Sequence, residues 1–560
     1  MVTIRRTVRC ATGIRKVHPY PPAGNHMLAL GRALGYQRHM NLYRAFATVG
    51  GLTMVSRLLG FVRDILIAAA LGTGVVADAF FVAFRFPNLF RRLFGEGAFN
   101  AAFVPLFAKR LEADGENEAC AFASEAMSGL TLVLVILSVM AMLAMPWLMV
   151  VLAPGFAGDP AKYALAVSLT QIAFPYLLCM SIVALLSGVL NSVHRYWAAA
   201  AAPILLNIVL ISALLIAIFL GYANDPGAGY ILAVGVAIAG FAQLAMLWLA
   251  VRRTGLTIRL RRPSYSPAMK RLVELGIPGL ISGGITQINI VVGTIIASLQ
   301  AGAVSYLYYA DRLYQLPLGI VGIAIGVVLL PELSRQLRAG NRPAVMDSQN
   351  RSLEFALVLT IPAAIALAIA AEPIIAVLFQ RAAFTTADTV NTAWALRAFA
   401  IGLPAFVLIK VFQPAFFARE DTKTPMRLAL VNMLVNVALS FMLFYGFKQA
   451  GWMPHVGIAV ATSIAGWLNA LLLWWKLARA GDFEFDAQLA RNLPIVIMAS
   501  LAMGAVLWNA MPYLAPSLAD SAPLWARIAG LGALVFGGAV VFFAIVTATG
   551  VLRLSMIRRV

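Results

Sequence analysis

Three arginines lie inside stretches of chain that are otherwise apolar enough to cross a lipid bilayer. Arg57 and Arg63 occur in SRLLGFVRD, residues 56–64, and Arg312 occurs in YYADRLYQLPLGI, residues 308–320. A guanidinium at the bilayer centre costs roughly 2.5–3.5 kcal/mol even on insertion scales, so such residues usually face a bundle interior or an aqueous cavity. A cavity lined with arginine suits an anion. The pattern therefore predicts transport of a negatively charged cargo.

Acidic residues accompany these arginines. Asp64 follows Arg57 by seven residues, which places both near one helix face, whereas Arg63 lies roughly 120° away. An alternative is that Arg57 pairs with Asp64 while Arg63 reaches outward to the membrane surface. Asp311 directly precedes Arg312, and because adjacent residues on a helix do not face each other, these two charges are not expected to cancel locally.

The composition places these residues in a polytopic membrane protein. Of 560 residues, 61% are hydrophobic and 12% are charged, and the mean hydropathy is +0.86, whereas soluble domains are about 25% charged. Apolar runs bounded by polar residues, Gly or Pro predict an all-α polytopic membrane protein of about 14 transmembrane helices. The predicted spans are 46–70, 76–92, 126–153, 163–190, 198–220, 228–251, 272–299, 303–330, 353–379, 389–413, 426–446, 453–475, 492–513 and 524–551.

The positive charges alternate between the loops in a way that supports this count. With the N-terminus inside, the inner loops carry 22 Lys and Arg residues, and the outer loops carry only Lys162, Arg381 and Lys448. Lys and Arg are enriched in cytoplasmic loops, so both termini are predicted to be cytoplasmic. Topology and contact with anionic membrane lipids then account for the net charge of +20, and nucleic-acid binding is not expected.

A second group of charges flanks the second predicted helix. Asp78 lies at its outer end and is either a gate partner or a solvated helix end. Arg91 and Arg92 lie at its inner end, where position alone favours anchors at the membrane surface over ligands. Glu96 follows on the segment 93–109, which is predicted to be a short interfacial helix.

The sequence shows no metal or cofactor site. Cys10, Cys120 and Cys179 are scattered singly, and neither a zinc-ligand spacing nor a phosphate-binding GxxxxGK[ST] loop occurs. No loop is long enough for a soluble catalytic domain, which argues against an enzyme such as a membrane glycosyltransferase. The energy for transport is therefore expected to come from ion gradients, the membrane potential or the cargo gradient.

A faint internal repeat predicts the domain organisation. Gly72 and Pro87 have the same spacing as Gly302 and Pro317. The repeat predicts two pseudo-symmetric six-helix lobes, a common transporter plan. The N-lobe covers 40–262 with helices 1–6, the C-lobe covers 263–480 with helices 7–12, and 481–560 holds helices 13 and 14 and a cytoplasmic C-terminus.

Residues 1–39 form a separate segment at the N-terminus. They hold seven Arg or Lys and neither Asp nor Glu. They are predicted to be a disordered basic tail, or to precede a true start at Met40. A membrane-surface or partner-binding arm is the alternative.

From Met40 onward the chain resembles the MurJ family, also called MviN, of bacterial lipid II flippases in the multidrug/oligosaccharidyl-lipid/polysaccharide exporter superfamily. The resemblance covers about 520 residues, and its most specific block is 77–107. The matching segments are MNLYRAF (40–46), SRLLGFVRD, ADAFFVAFRFPNLFRRLFGEGAFNAAFVPLF (77–107), YYADRLYQLPLGI and AREDTKTP (418–425).

The resemblance implies two lobes around a central cationic cavity, with helices 13 and 14 forming a groove for a polyprenyl tail. The cargo would be lipid II, the undecaprenyl-pyrophosphate-linked peptidoglycan precursor, moved between the leaflets of the bacterial cytoplasmic membrane by alternating access. The residues that the family needs for function correspond to Arg57, Arg63, Asp78, Arg91 and Arg312. The resemblance thus favours a role for Arg91 near the inner gate. A monomer is expected, and partners in the elongation or division machinery stay open.

The chain departs from the family at one site. Some relatives have a sodium site built from acidic residues in helices 7 and 11, but here helix 7 has no acid beyond Glu274 and 426–446 has none. Sodium coupling is therefore doubtful, and the membrane potential or a proton gradient is expected instead. Two alternative functions remain, a flippase for another polyprenyl-linked glycan and a cation-coupled multidrug exporter.

Overall fold

A computed structural model describes residues 24–91 and 98–551 of the chain. The described part consists of eighteen α-helices, a single 3-10 helix at Pro154–Gly158 and connecting loops. The α-helices are α1 Gly24–Leu71, α2 Val75–Arg91, α3 Ala98–Ala113, α4 Gly115–Leu143, α5 Met145–Leu152, α6 Pro160–Ala173, α7 Pro175–Ser192, α8 Trp197–Phe219, α9 Pro226–Arg252, α10 Pro267–Ser298, α11 Ala303–Arg338, α12 Arg342–Ile369, α13 Ala371–Phe379, α14 Thr386–Phe417, α15 Lys423–Gln449, α16 Pro454–Arg479, α17 Ala487–Leu518 and α18 Leu524–Ala548.

The all-α membrane fold predicted from the sequence is confirmed. Each predicted span contains one helix or two consecutive helices, and ten helical segments of the described chain are long and apolar enough to cross a membrane. The predicted interfacial helix corresponds to α3. The exact number of 14 crossings stays a prediction.

Three predicted spans are each divided into two helices. The breaks separate α4 from α5, α6 from α7, and α12 from α13. Pro146, Pro175 and Pro373 lie in the first turn of the second helix of each pair. Proline is tolerated there because that turn has no intrahelical partner for its backbone N–H, whereas the preceding helix cannot continue through it.

The backbone repeats where the sequence predicts a repeat. Gly72 precedes α2 with φ +59°, and Gly302 precedes α11 with φ +76°, a left-handed conformation that glycine adopts at no steric cost. The third span of each predicted lobe, α4–α5 and α12–α13, is broken near one end. We refer to α1–α9 as the N-lobe and to α10–α16 as the C-lobe. The residue boundaries of the predicted domains stay predictions.

Packing within each lobe is closest between a few helices. In the N-lobe, α8 packs against α1 and α9. In the C-lobe, α14 packs against α11, α12 and α16, and α15 packs against α16. Helices α17 and α18 pack on each other, and α17 also packs on α12.

The two lobes contact each other at the end where α1 finishes and α11 begins. The Ala383 amide donates to the Ala69 carbonyl at 3.2 Å, and the Tyr309 hydroxyl donates to the Gly72 carbonyl at 3.0 Å. The 3-10 helix of the N-lobe meets the end of α10, where the Gly155 amide donates to the Ser298 hydroxyl at 3.2 Å. We call this region the lobe junction.

Helix α1 begins at Gly24 and therefore includes part of the segment 1–39 that the sequence predicts to be a tail. Residues 1–23 lie outside the described residues, and a true start at Met40 stays a prediction.

Substitution of Gly155 tests the close approach at the lobe junction. A Cβ at Gly155 would lie 2.0 Å from the Ser298 carbonyl oxygen, whereas a Cβ at Gly158 has no atom within 4 Å. We expect Gly155→Ala to destabilise the protein by about 1–3 kcal/mol, the usual range for overpacking. Thermal unfolding of the purified protein in detergent measures this, with Gly158→Ala as the matched control. Equal midpoints for the two variants would show that the junction is not tightly packed.

Candidate anion-binding cavity

Two adjoining cavities lie between the N-lobe and the C-lobe. The larger has a volume of about 600 Å³ and extends from α11 towards α1 and α8. The smaller, of about 290 Å³, extends from α11 towards α10, α15 and α16. Both cavities share a wall formed by Phe84, Asn88, Arg312, Tyr314 and Gln315. We treat them as one central cavity.

Arg63 and Asp64 form a buried ion pair on the wall of this cavity. The Arg63 Nη2 lies 2.7 Å from Asp64 Oδ1, and its Nε donates to the same oxygen at 3.0 Å. The remaining guanidinium nitrogen, Nη1, donates to Asn207 Oδ1 on α8 at 3.0 Å. Asn207 in turn donates to the Ser56 carbonyl at 2.9 Å. Arg63 is thus fixed in place with all its guanidinium nitrogens engaged.

Arg312 reaches the same carboxylate from the other lobe. Its Nε lies 3.4 Å from Asp64 Oδ2, its Nη2 donates to the Tyr308 hydroxyl at 3.0 Å, and its guanidinium stacks 4.6 Å from the Tyr308 ring centroid. The Tyr308 hydroxyl also donates to Asp64 Oδ1 at 3.2 Å. The Arg312 side chain is 29% exposed, and its buried Nε lacks hydrogen-bond geometry to any described residue. Its third nitrogen, Nη1, donates to no described residue, so Arg312 retains donor capacity for a ligand.

Arg57 lines the cavity without a charged partner in the described part of the chain. Its guanidinium lies against Gly319 of α11, where an added Cβ would approach Nη1 to 2.5 Å. The residue is exposed, and it lies on the side of α1 that lines the cavity. The alternative in which Arg57 pairs with Asp64 and Arg63 points outward is wrong, because Asp64 binds Arg63 and Arg312.

The charges that line the central cavity do not balance. Of the described residues that line it, four are arginines and two are aspartates, an excess of two formal positive charges among these lining side chains. Asp311 accepts a hydrogen bond from Gln315. It makes no ion pair with Arg312, which pairs with Asp64 instead, as expected for adjacent residues on a helix. The cavity is therefore suited to an anionic ligand.

Asp78 lies outside this cavity, at the lobe junction. It is completely buried at the start of α2 and binds Lys162 Nζ at 2.7 Å. It also accepts from the Gly302 amide at 2.8 Å and from the Ser305 amide and hydroxyl at 3.0 and 2.7 Å. Because Gly302 is the N-cap residue of α11 and Ser305 lies in its first turn, a carboxylate of the N-lobe caps a helix of the C-lobe. Asp78 is thus a partner at the junction and not a solvated helix end.

Three further predicted site residues belong to the inner end of α2 and the segment after it. Arg92 and Glu96 lie outside the described residues, and so does the side chain of Arg91. Their predicted roles as gating or anchoring residues stay predictions.

Sequence reasoning missed two cavity residues and one junction residue. Arg85 of α2 lines the smaller cavity and donates to the Thr294 hydroxyl of α10. It lies within an apolar span, so the argument that selected Arg57 could also have selected it. Asn207 and Lys162 gave no such signal, because an asparagine is unremarkable in a membrane helix and Lys162 was assigned to an outer loop.

The contact between α10 and α15 is neutral. Asn436 Nδ2 donates to Asn289 Oδ1 at 2.9 Å, and the Ser440 hydroxyl lies 3.5 Å from Asn436 Oδ1. In the described ranges, no group of three or more His, Cys, Asp or Glu residues could hold a metal ion.

Comparison with known proteins identifies close relatives. The family model described as lipid II flippase MurJ matches residues 67–517. A probable lipid II flippase MurJ of Rhizobium meliloti (strain 1021) is 50% identical over 521 residues, which cover 93% of this chain and 96% of that protein. A lipid II flippase MurJ of Burkholderia cenocepacia is 33% identical, covering 85% of this chain and 91% of that protein.

Solved structures show the same fold. A structure of lipid II flippase MurJ in an inward-closed conformation matches with a TM-score of 0.73 and 25% identity, covering 90% of this chain and 98% of the other. An inward-facing multidrug resistance transporter of the MATE family matches with a TM-score of 0.63 and 16% identity, covering 78% of this chain and 98% of the other. The second likeness concerns the fold alone.

Substitution of Asp78 tests the buried pair at the lobe junction. Asp78→Asn leaves the Lys162 ammonium buried without a counter-charge, and removing one partner of a buried pair typically destabilises by about 3–5 kcal/mol. We expect a clear fall in the thermal unfolding midpoint of the purified protein. Asp347→Asn, at a carboxylate that is 70% exposed, is the control and should change little.

A double variant separates the charge effect from a packing effect. Asp78→Asn combined with Lys162→Met should be less destabilising than the sum of the two single variants, since the stranded ammonium is gone. Additive losses would show that the pair is not coupled.

Proposed function

The chain belongs to the lipid II flippase MurJ family, and we propose that it moves lipid II from the inner to the outer leaflet of the cytoplasmic membrane. The protein is a multi-pass inner-membrane transporter and not an enzyme. The observation that carries the proposal is that the described residues lining the cavity between the lobes include four arginines and only two aspartates. The pyrophosphate of lipid II is ionised on both phosphates at neutral pH, so it complements this excess.

We assign different tasks to the three arginines. Arg57 and Arg312 have donor capacity left, and a guanidinium binds phosphate oxygens through parallel hydrogen bonds. Arg63 is saturated by Asp64 and Asn207 and holds the carboxylate in place. Arg57 and Arg312 would thus bind the pyrophosphate, with Arg63 as a positioning residue and Arg85 as a further charge on the other side.

The polar walls of the smaller cavity suit the rest of the headgroup. Amide and hydroxyl side chains there can donate to and accept from sugar hydroxyls and peptide groups. They are Asn88, Gln287, Asn289, Gln315, Asn436 and Thr462. The polyprenyl tail would stay in the membrane, against the apolar surface of α17 and α18.

Binding of the cargo can weaken a contact between the lobes. Arg312 links α11 to α1 through Asp64, and a phosphate bound to Arg312 competes with that carboxylate. Loss of this link would loosen the two lobes at the cavity, while Asp78 still joins them at the lobe junction. We infer that the junction faces the periplasm, as the distribution of Lys and Arg predicts, and that both termini are cytoplasmic.

The membrane potential is the energy source that the charges favour. A cavity filled with pyrophosphate is close to neutral, whereas the empty cavity carries excess positive charge. Moving one such charge across the membrane changes its free energy by about 2.3 kcal/mol per 100 mV of potential. It would therefore return the empty cavity to the cytoplasmic side, and a proton gradient is the alternative source. Sodium coupling at the α10–α15 contact is disfavoured because that contact is formed by amides.

Two other functions compete with this proposal. A flippase for another polyprenyl-linked glycan would use the same pyrophosphate contacts. A multidrug exporter shares the fold but would bind cationic drugs through carboxylates, and the excess of arginine over aspartate in this cavity argues against it. We further propose a monomer, and partners in the elongation or division machinery stay a prediction.

Complementation tests the arginine assignment. In a bacterial strain depleted of its own lipid II flippase, the wild-type protein should restore growth and prevent accumulation of lipid II. Arg57→Ala and Arg312→Ala should fail, because each removes a phosphate ligand. Arg63→Ala should also fail, because it leaves the Asp64 carboxylate free to hold Arg312 more tightly.

Arg338→Ala is the matched control, since Arg338 is an exposed arginine at the end of α11 far from the cavity. It should support growth like the wild type at equal membrane abundance. Full growth with all three cavity variants would refute the binding assignment. If the wild-type protein left lipid II unchanged but restored another glycan, the rival flippase would be favoured.

Ion replacement tests the energy source. In proteoliposomes that contain lipid II, replacing sodium with choline should change the flipping rate by less than twofold. An imposed potential, negative on the side from which lipid II leaves, should increase it severalfold. A rate that requires sodium and ignores the potential would contradict both inferences.

A further inference from the structure

The segment that connects the lobes is a fixed, extended strap. Residues 256–266 run without helix between α9 and α10. The backbone amides of Arg259 and Arg261 donate to the hydroxyls of Ser124 and Ser128 on α4, at 3.1 and 2.8 Å. Leu256 and Ile258 are buried, each 4% exposed. The strap is therefore held against the N-lobe along its length.

The end of the strap is held by one carboxylate. Glu125 of α4 accepts from the Ser264 hydroxyl at 2.8 Å and from the Ser266 amide and hydroxyl at 3.0 and 2.7 Å. Both oxygens of this carboxylate are thus occupied by serines. Glu125 fixes the strap and makes no ion pair with its arginines in the described part of the chain.

The strap and the adjoining helix ends carry an unbalanced positive charge. Seven cations occur between residues 252 and 271. Arg271 pairs with Glu274 at 3.5 Å. The other six make no ion pair with any residue in 24–91 or 98–551, and all six are exposed. They are Arg252, Arg253, Arg259, Arg261, Arg262 and Lys270.

A groove lies between these cations at the end of a membrane-spanning helix. Its volume is about 420 Å³, and its walls include Trp248, Arg252 and Arg259. Leu260 and Tyr265 are 63% and 68% exposed on the strap beside the arginines. Tryptophan and tyrosine favour the membrane–water interface, where an apolar side chain can enter the lipid while guanidinium groups stay at headgroup level.

We propose that this groove binds the headgroup of an anionic phospholipid, with its phosphate between Arg252 and Arg259. Charge complementarity supports a phosphate, and the exposed Leu260 and Tyr265 support a ligand that is part of the membrane. The site is separate from the central cavity and does not depend on which cargo the protein moves. The strap joins the two lobes, so any movement of one lobe relative to the other must involve it. A lipid bound in the groove would therefore contact the connection between the lobes.

Lipid titration tests the site. Native mass spectrometry of the detergent-purified full chain gives the dissociation constant of the first bound phosphatidylglycerol, compared with phosphatidylcholine of the same acyl chains. Each cation near a membrane surface contributes about 1 kcal/mol, or roughly fivefold in affinity. We therefore expect Arg252→Gln/Arg259→Gln/Arg261→Gln to weaken phosphatidylglycerol binding by roughly 100-fold and phosphatidylcholine binding little.

The matched control removes the same charge elsewhere. Arg195, Arg338 and Arg427 are equally exposed at other helix ends, and Arg195→Gln/Arg338→Gln/Arg427→Gln should lose less than fivefold. An equal loss in both triple variants, or equal wild-type affinity for the two lipids, would overturn the proposal. So would full displacement of the lipid by an equimolar amount of glycerophosphoglycerol, since the site would then bind a free phosphate.

A second measurement does not require the glutamine variant to fold. Photoactivatable phosphatidylglycerol incorporated with the wild-type protein should crosslink to peptides that contain residues 248–262. Labelling confined to other helix ends would overturn the proposal. Arg252→Lys/Arg259→Lys/Arg261→Lys keeps the charge and should retain binding within tenfold of the wild type.

Discussion

The central cavity depends on the ion pairs that the Asp64 carboxylate makes with two arginines. It is 3% exposed, and it binds one arginine of its own helix and one of the opposite lobe. A buried charge pair is stable only when the remaining lone pairs and protons find partners, and here Tyr308 and Asn207 supply them. One carboxylate cannot neutralise two guanidinium groups. The remaining positive charge, together with Arg57, which has no charged partner among the described residues, makes the cavity suited to an anion.

Three arginines of the cavity could be selected from the sequence, because their selection depends only on the cost of placing a charge in a membrane. The high energy of a charge in a lipid bilayer is independent of the surrounding fold, so Arg57, Arg63 and Arg312 could be identified from their apolar neighbours alone. The helical spans could be located for a related reason, because the bilayer thickness sets the length of apolar sequence that a crossing helix needs. The breaks at Pro146 and Pro373 were missed because proline is tolerated in membrane helices, and the local pattern does not show which proline ends one.

The pairing of the charges could not be predicted. Helix geometry suggested that Arg57 and Asp64 share a face, but the structure pairs Asp64 with Arg63 and with Arg312, which is 248 residues further along the chain. Contacts between lobes depend on how the helices pack, and a single sequence contains no direct signal of that packing. The role of Asp78 could not be predicted for the same reason, since its partners lie on α6 and at the N-terminal end of α11.

The repeat of Gly72 and Gly302 has a consequence for how charge is distributed between the two halves. When the two halves of the sequence are aligned on these glycines, Asp64 of α1 corresponds to Thr294 of α10. Each of the two residues contacts an arginine from the second helix of the opposite lobe. These two contacts between the lobes occupy equivalent places in the two halves, but only the contact at Asp64 involves a carboxylate. Arg57 and Arg63 lie on the α1 side of the cavity and Arg85 on the α10 side, so the lining is asymmetric in charge although the two halves share a backbone plan.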